Sequence, residues 1–155
     1  MEKAQSSANT TLRIKRTFRA PRANVFHAWT DPEELARWFA PSADYATIVP
    51  ELDLRVGGSY RVEMHHKGGN VHTVFGTYRE IKPPEKVVFT WRWTRDADTE
   101  DSVVTIEFRD LGNSTEMTLT HERLPSLEER DKHAHGWNGC IEQLAKFLEA
   151  VAIEP

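Results

Sequence analysis

The sequence predicts an α+β fold in which a curved antiparallel sheet of about six to seven strands wraps around a long C-terminal helix. Between residues 46 and 123, apolar side chains recur at every second position, which is the strand period. Between residues 126 and 151 they recur at steps of three and four, which is the helical period. A sheet that is apolar on one face and a helix that is apolar on one stripe bury both surfaces by packing together.

One strand and two short helices are predicted before the main run of strands. Leu12, Ile14 and Phe18 share one strand face, and Pro21 ends the strand and opens a helix. A second helix is predicted to start at Asp31, a residue type that caps helices, with proline in the first turn. The apolar residues of the two helices are Val25, Phe26, Trp29, Leu35, Trp38 and Phe39.

Turn signals divide residues 46–123 into an antiparallel meander. They lie at 57–58, 68–70, 82–85 and 112–113. Apolar and polar positions alternate between them, as expected of a sheet with one face in water. The segment 71–81 is ambiguous, because Val74 and Tyr78 fall on the opposite face from Phe75 and Ile81. The facing of this strand stays open.

The last helix is predicted to begin with a capping box formed by Ser126 and Glu129. Its apolar stripe consists of Ala134, Trp137, Ile141, Leu144, Leu148 and Val151. Small or polar residues flank the start of that stripe, namely His133, His135, Gly136 and Cys140. Such residues leave gaps beside a buried helix, so we expect this half of the helix to line a cavity.

Length and composition indicate a single domain over residues 10–151, with a disordered tail at 1–9 and a short tail at 152–155. A single cysteine, Cys140, excludes an intramolecular disulfide and favours a cytoplasmic location. The net charge is -4 and the sequence contains no block of basic residues, which argues against nucleic-acid binding. No segment approaches the roughly 20 apolar residues of a membrane span. An exposed sheet edge would permit a homodimer, although no pattern requires one.

Five segments together resemble a known family: RAPRANVFHAWTDPEELARWF from Arg19, VGGSYR from Val56, GTYREIKPPEKVVFTW from Gly76, LTH from Leu119 and HGW from His135. They are similar to successive motifs of the Hsp-ATPase-activator-homology (AHSA-like) family in the START-related SRPBCC superfamily. The resemblance covers residues 12–151 and implies the helix-grip fold. That superfamily includes carriers, cyclases and antibiotic-sequestering proteins, so the fold does not fix the chemistry. The eukaryotic namesake stimulates a chaperone ATPase.

A ligand cavity between the sheet and the long helix is the first candidate site. Its expected lining is Tyr60, Met64, Phe89, Trp91, Trp93, Met117, His121, Trp137, Cys140 and Leu144. Aromatic and methionine side chains make an adaptable apolar wall. The predicted function is binding of a hydrophobic or aromatic small molecule, for transport or sequestration, without a cofactor. The alternative structural interpretation is that the same residues form a packed core.

Histidines offer a catalytic alternative, because imidazole titrates near neutral pH. His121, His133 and His135 are candidates to meet at the cavity mouth, where proton transfer would suit a cyclase, dehydratase or hydrolase. Surface or capping roles are the simpler interpretation of these residues. A stress-response or chaperone-interacting module is a third possibility, drawn from the resemblance alone.

Metal binding and nucleophilic catalysis are not predicted. His65 and His66 are adjacent on a strand and therefore face opposite ways, and His72 lies across a glycine turn from them. Cys140 lies in mid-helix among apolar neighbours, where a thiol is inert.

The charged loop 95–101 is expected to be solvated and to form a rim of the cavity.

Overall fold

The computed structural model describes residues 10–96 and 100–152, and within them it confirms the predicted α+β fold. The predicted tails lie outside the described residues, apart from Ala152, and so do residues 97–99 of the predicted rim loop. The elements are, in chain order, β1 (Leu12–Phe18), α1 (Arg22–Thr30), α2 (Pro32–Trp38), β2 (Tyr45–Leu52), β3 (Ser59–His66), β4 (Val71–Lys82), β5 (Lys86–Trp93), β6 (Ser102–Asp110), β7 (Thr115–Glu122) and α3 (Leu127–Ala152).

The strands form one seven-stranded antiparallel sheet in the order β1-β7-β6-β5-β4-β3-β2. Strands β1 and β2 follow each other in the chain but lie at opposite edges of the sheet. The two short helices connect these edges: α1 packs on β6 through Phe26 and Phe108, whose ring centroids are 5.5 Å apart, and α2 contacts β2.

The core lies between the sheet and α3. On α3 the predicted stripe is buried at Ile141 and Leu144, which are 1% and 0% exposed. Met117 and Leu119 of β7 are both 0% exposed. Burial of each such side chain contributes about 1.5–3 kcal/mol, so these residues anchor the helix on the sheet. In the part of the chain that the structure describes, no helix has the length and apolar character to cross a bilayer.

A β-bulge explains why β4 was difficult to phase from the sequence. Tyr78 pairs with Phe89 of β5, but the next paired residue is Glu80, opposite Val88, so one extra residue is inserted in β4. Before the bulge, Val74 and Tyr78 are buried. After the bulge the alternation shifts by one, so Ile81 pairs with the buried Val87 and packs against the same core.

The approach of α3 to the end of α2 depends on one glycine. A Cβ atom at Gly139 would lie 2.2 Å from the carbonyl oxygen of Pro41, which is much shorter than a van der Waals contact. Only glycine therefore permits this contact. The contact holds the segment after α2 against α3, where it closes one side of a cavity.

Candidate functional site

A cavity of about 240 Å³ lies under the first half of α3. It is lined by Phe39, Pro41, Met64, Trp91, Trp93, Arg95, Glu129, Lys132, His133, Gly136, Trp137 and Cys140. An apolar cavity of roughly 150 Å³ accommodates benzene in a protein interior. The volume here is therefore sufficient for a substituted single ring or two fused rings.

The aromatic wall of the cavity is fixed by contacts among its own rings. The centroid of Trp91 lies 4.9 Å from that of Trp137 and 5.4 Å from that of Trp93. Phe39 packs edge-on against Trp137 at 5.7 Å. The Trp91–Trp93 and Phe39–Trp137 contacts are edge-to-face, and each adds about 0.5–1.5 kcal/mol to the burial of the rings, so the wall is held in place without a ligand.

Half of the predicted lining residues lie on this cavity: Met64, Trp91, Trp93, Trp137 and Cys140. Tyr60 and Phe89 instead line a second space of about 20 Å³. Met117, His121 and Leu144 are fully buried and contribute to neither lining. Ligand contact by any of these residues stays a prediction.

The remaining lining residues were not predicted as a set. Four of them, at positions 129, 132, 133 and 136 of α3, follow the helical spacing that places them on one helix face with Cys140. Arg95 is the first residue of the loop that was predicted to form the rim. Phe39 and Pro41 come from a distant segment, and no local pattern indicates that they reach the site.

His121 is held in a chain of buried hydrogen bonds. The indole nitrogen of Trp137 donates to its Nδ1 at 3.0 Å, and its Nε2 lies 2.8 Å from Oγ of Ser102. Since Nδ1 accepts, the neutral ring carries its proton on Nε2 and donates it to Ser102, whose hydroxyl donates to the carbonyl of Trp91 at 3.1 Å. Burial, and then His133, lower the pKa of His121 well below its ordinary value, so the ring is neutral.

His133 lies on the cavity wall, and both of its ring nitrogens are engaged. Its Nε2 accepts from the indole nitrogen of Trp93 at 3.0 Å, so its Nδ1 carries the proton and donates to the carbonyl of Glu129 at 2.7 Å. The ring centroids of His121 and His133 are 5.2 Å apart, but His121 does not line the cavity. His135 is exposed and does not line the cavity.

Cys140 lines the cavity as a protonated thiol. Burial raises its pKa to about 12, which outweighs an opposing hydrogen bond from the backbone of Ala40. The thiolate is the nucleophilic form of cysteine, so this group is unreactive at neutral pH. Among residues 10–96 and 100–152, no cluster of histidine, cysteine, aspartate and glutamate has the arrangement of a metal site.

A seven-stranded antiparallel sheet, a long C-terminal helix across it and a cavity between them define a helix-grip domain of the SRPBCC superfamily. Residues 19–149 match the family of Activator of Hsp90 ATPase homolog 1-like proteins. The chain therefore belongs to that family.

Solved structures support this assignment. A protein from Chromobacterium violaceum is 32% identical, with a TM-score of 0.82 over 90% of this chain and 97% of that one. The AHSA1 protein from Silicibacter pomeroyi is 28% identical, with a TM-score of 0.79 over 90% of this chain and 98% of that one. A protein from Arthrobacter aurescens, 21% identical, shares the fold with a TM-score of 0.81 over 94% and 90% of the two chains. Among curated proteins, none matches this chain.

Proposed function

We propose that this protein binds a hydrophobic or aromatic small molecule in the cavity under α3, as a carrier or a sequestering protein of the cytoplasm. The observation that carries the proposal is the pre-positioned wall of Trp91, Trp93, Trp137 and Phe39 around about 240 Å³ of space. Concave apolar pockets with a few polar groups are the usual form of small-molecule sites. The single cysteine of the sequence excludes an intramolecular disulfide, which is in keeping with a reducing compartment.

Binding is better supported than catalysis by the contacts of the two histidines. A general acid or base must present a ring nitrogen to the bound molecule. Both nitrogens of His121 and both of His133 already bond to protein atoms. The chaperone-interacting alternative is supported by the description of the family alone.

Calorimetric titration with indole, an uncharged flat probe, tests the proposal when wild type is compared with Gly136→Leu. A Cβ atom at Gly136 would meet no atom within 4 Å, so a leucine side chain has room to enter the cavity without displacing backbone. We expect indole to bind the wild type and to bind the variant at least about tenfold more weakly, a difference of about 1.4 kcal/mol.

The matched control is Asn138→Leu, which adds the same side chain at an exposed position two residues along the helix. It should bind indole like the wild type. Equal affinity of all three proteins would place the bound indole elsewhere, and no binding to the wild type would remove the support for a ligand cavity.

A further inference from the structure

We infer that the ligand is an aromatic acid: its ring lies among the tryptophans and its carboxylate lies at the cavity mouth, between Arg95 and Lys132. This inference rests on the proposed function and specifies its ligand class. Three features carry it, namely the cation stacked on the aromatic wall, the second cation on α3, and the balance of charges around the cavity.

Arg95 is placed where the aromatic wall meets solvent. Its guanidinium carbon lies 4.6 Å from the ring centroid of Trp93, and both side chains line the cavity. One guanidinium nitrogen also donates to Nδ1 of His72 at 3.3 Å. Stacking on Trp93 fixes the plane of the guanidinium. Since arginine carries five N–H donors in a fork that matches a carboxylate, donors are left for a ligand oxygen.

Lys132 brings a second positive charge to the same mouth from α3. Its ammonium lies 3.7 Å from a carboxylate oxygen of Glu128 and 3.8 Å from one of Glu129. These separations exceed hydrogen-bond length, and the side chain of Lys132 is 64% exposed, so both ion pairs are weak. Little is lost when Lys132 turns to a ligand carboxylate.

The lining charges favour an anion over a cation. Arg95 and Lys132 are positive and Glu129 is the one lining carboxylate among the described residues, in a chain whose net charge is -4. A cationic ligand would meet two like charges at the mouth. A carboxylate deeper in the cavity would lack an ionic partner, and burial of an unpaired charge is costly. The acid group therefore belongs at the mouth and the ring inside.

Cinnamate and cinnamamide form a matched probe pair, since they share a ring and a short arm and differ in the charge at its end. We expect cinnamate to bind the wild type about fivefold more tightly than cinnamamide, in keeping with a charge-assisted hydrogen bond at a partly solvated site. The double variant Arg95→Gln/Lys132→Gln should bind both probes with similar affinity. Salt of about 1 M, where the screening length is about 3 Å, should reduce the preference in the wild type.

The control is Arg55→Gln/Lys67→Gln, which also removes one arginine charge and one lysine charge, but at exposed positions outside the cavity. It should keep the preference for cinnamate. Equal binding of the two probes by the wild type, or loss of the preference in the control, would overturn the assignment of an acid while leaving the cavity function intact. Binding of neither probe, together with no binding of indole, would overturn both proposals.

Discussion

Two glycines of α3, three positions apart, set the depth of the cavity. Gly139 permits a close contact, because the absence of a side chain lets the helix approach Pro41. Gly136 keeps a space open, because nothing lies within 4 Å of where its Cβ would be. Within one helix turn, Gly139 thus permits the contact that forms a wall of the cavity, and Gly136 leaves the cavity volume unfilled.

Alanine at these two positions should have opposite effects on stability. We expect Gly139→Ala to lower the free energy of unfolding by about 1–3 kcal/mol, because a methyl group must displace the Pro41 carbonyl. Gly136→Ala should raise it by up to about 1 kcal/mol, because alanine favours the helix and meets no neighbour. Urea unfolding of both variants checks the pair, and equal effects would contradict the close approach at Pro41.

His121 makes stability depend on pH in a defined direction. Burial lowers the pKa of its folded form below the ordinary value of 6.5, so the unfolded chain takes up a proton that the folded protein does not. The contribution of His121 is complete above that value and is lost as the pH falls below it. We expect a slope of up to about 1.4 kcal/mol per pH unit from this group.

Urea unfolding at a series of pH values compares wild type with His121→Gln, which cannot titrate. The variant should be less stable at neutral pH, because the Trp137 and Ser102 bonds are disturbed, and the gap should narrow as the pH falls. His135→Gln is the control, since residue 135 is exposed and its replacement leaves the Trp137 and Ser102 bonds of His121 in place. A constant gap between wild type and His121→Gln would show that His121 titrates normally.

The hydrogen-bond chain through His121 shows where sequence prediction ends at the scale of residues. Strand alternation correctly places His121 on the inward face of β7. Its own partners come from β6 and α3, and the chain continues from Ser102 to a carbonyl of β5, so these bonds form only when the elements are docked. No local pattern contains that information. The sequence indicated that His121 faces inward, but the simpler interpretation of a surface or capping role is wrong for this residue, which is 0% exposed.

Among the elements, α3 was predicted most fully because period and cap agree. The amide of Glu129 donates to Oγ of Ser126 at 3.1 Å, which confirms half of the predicted capping box, and the helix runs from Leu127 to Ala152. The bulge in β4 was not predicted, because one inserted residue breaks the alternation that identifies a strand face. Periodicity identifies regular elements and fails where an element is irregular.

Removal of the helix cap should loosen the turn that carries the cavity mouth. Ser126→Ala leaves the Glu129 amide without its acceptor, and we expect the free energy of unfolding to fall by about 1 kcal/mol. Hydrogen exchange should accelerate at residues 128–131 and stay unchanged in the second half of α3. Asn138→Ala, on the exposed side of the helix, serves as the comparison, and equal exchange in all three proteins would argue against a capping role for Ser126.

At the scale of the whole molecule, the cavity is a product of docking between distant elements. Its walls come from the segment after α2, from β3 and β5 and from the first half of α3. The sequence predicts the fold, the apolar faces and five of the twelve residues that line the cavity in the described part of the chain. The volume between those faces depends on how closely α3 approaches the sheet and Pro41, and that distance has no signature in composition or period.

Because the cavity joins these elements, its occupation should stabilise the entire domain. A ligand at a hundred times its dissociation constant adds about 2.7 kcal/mol to the free energy of unfolding. We expect saturating indole to raise the thermal midpoint of the wild type and of Asn138→Leu, and to leave Gly136→Leu nearly unchanged. A similar rise in all three proteins would indicate binding outside the cavity.

The strand order also constrains how the chain assembles as it leaves the ribosome. β1 lies at the sheet edge and pairs only with β7, with Leu12 opposite His121. At roughly 5–20 residues per second, β1 emerges several seconds before its partner exists. The backbone groups of β1 that pair with β7 therefore stay without this partner while five other strands are synthesised, and an unpaired strand edge of this kind can associate with other chains.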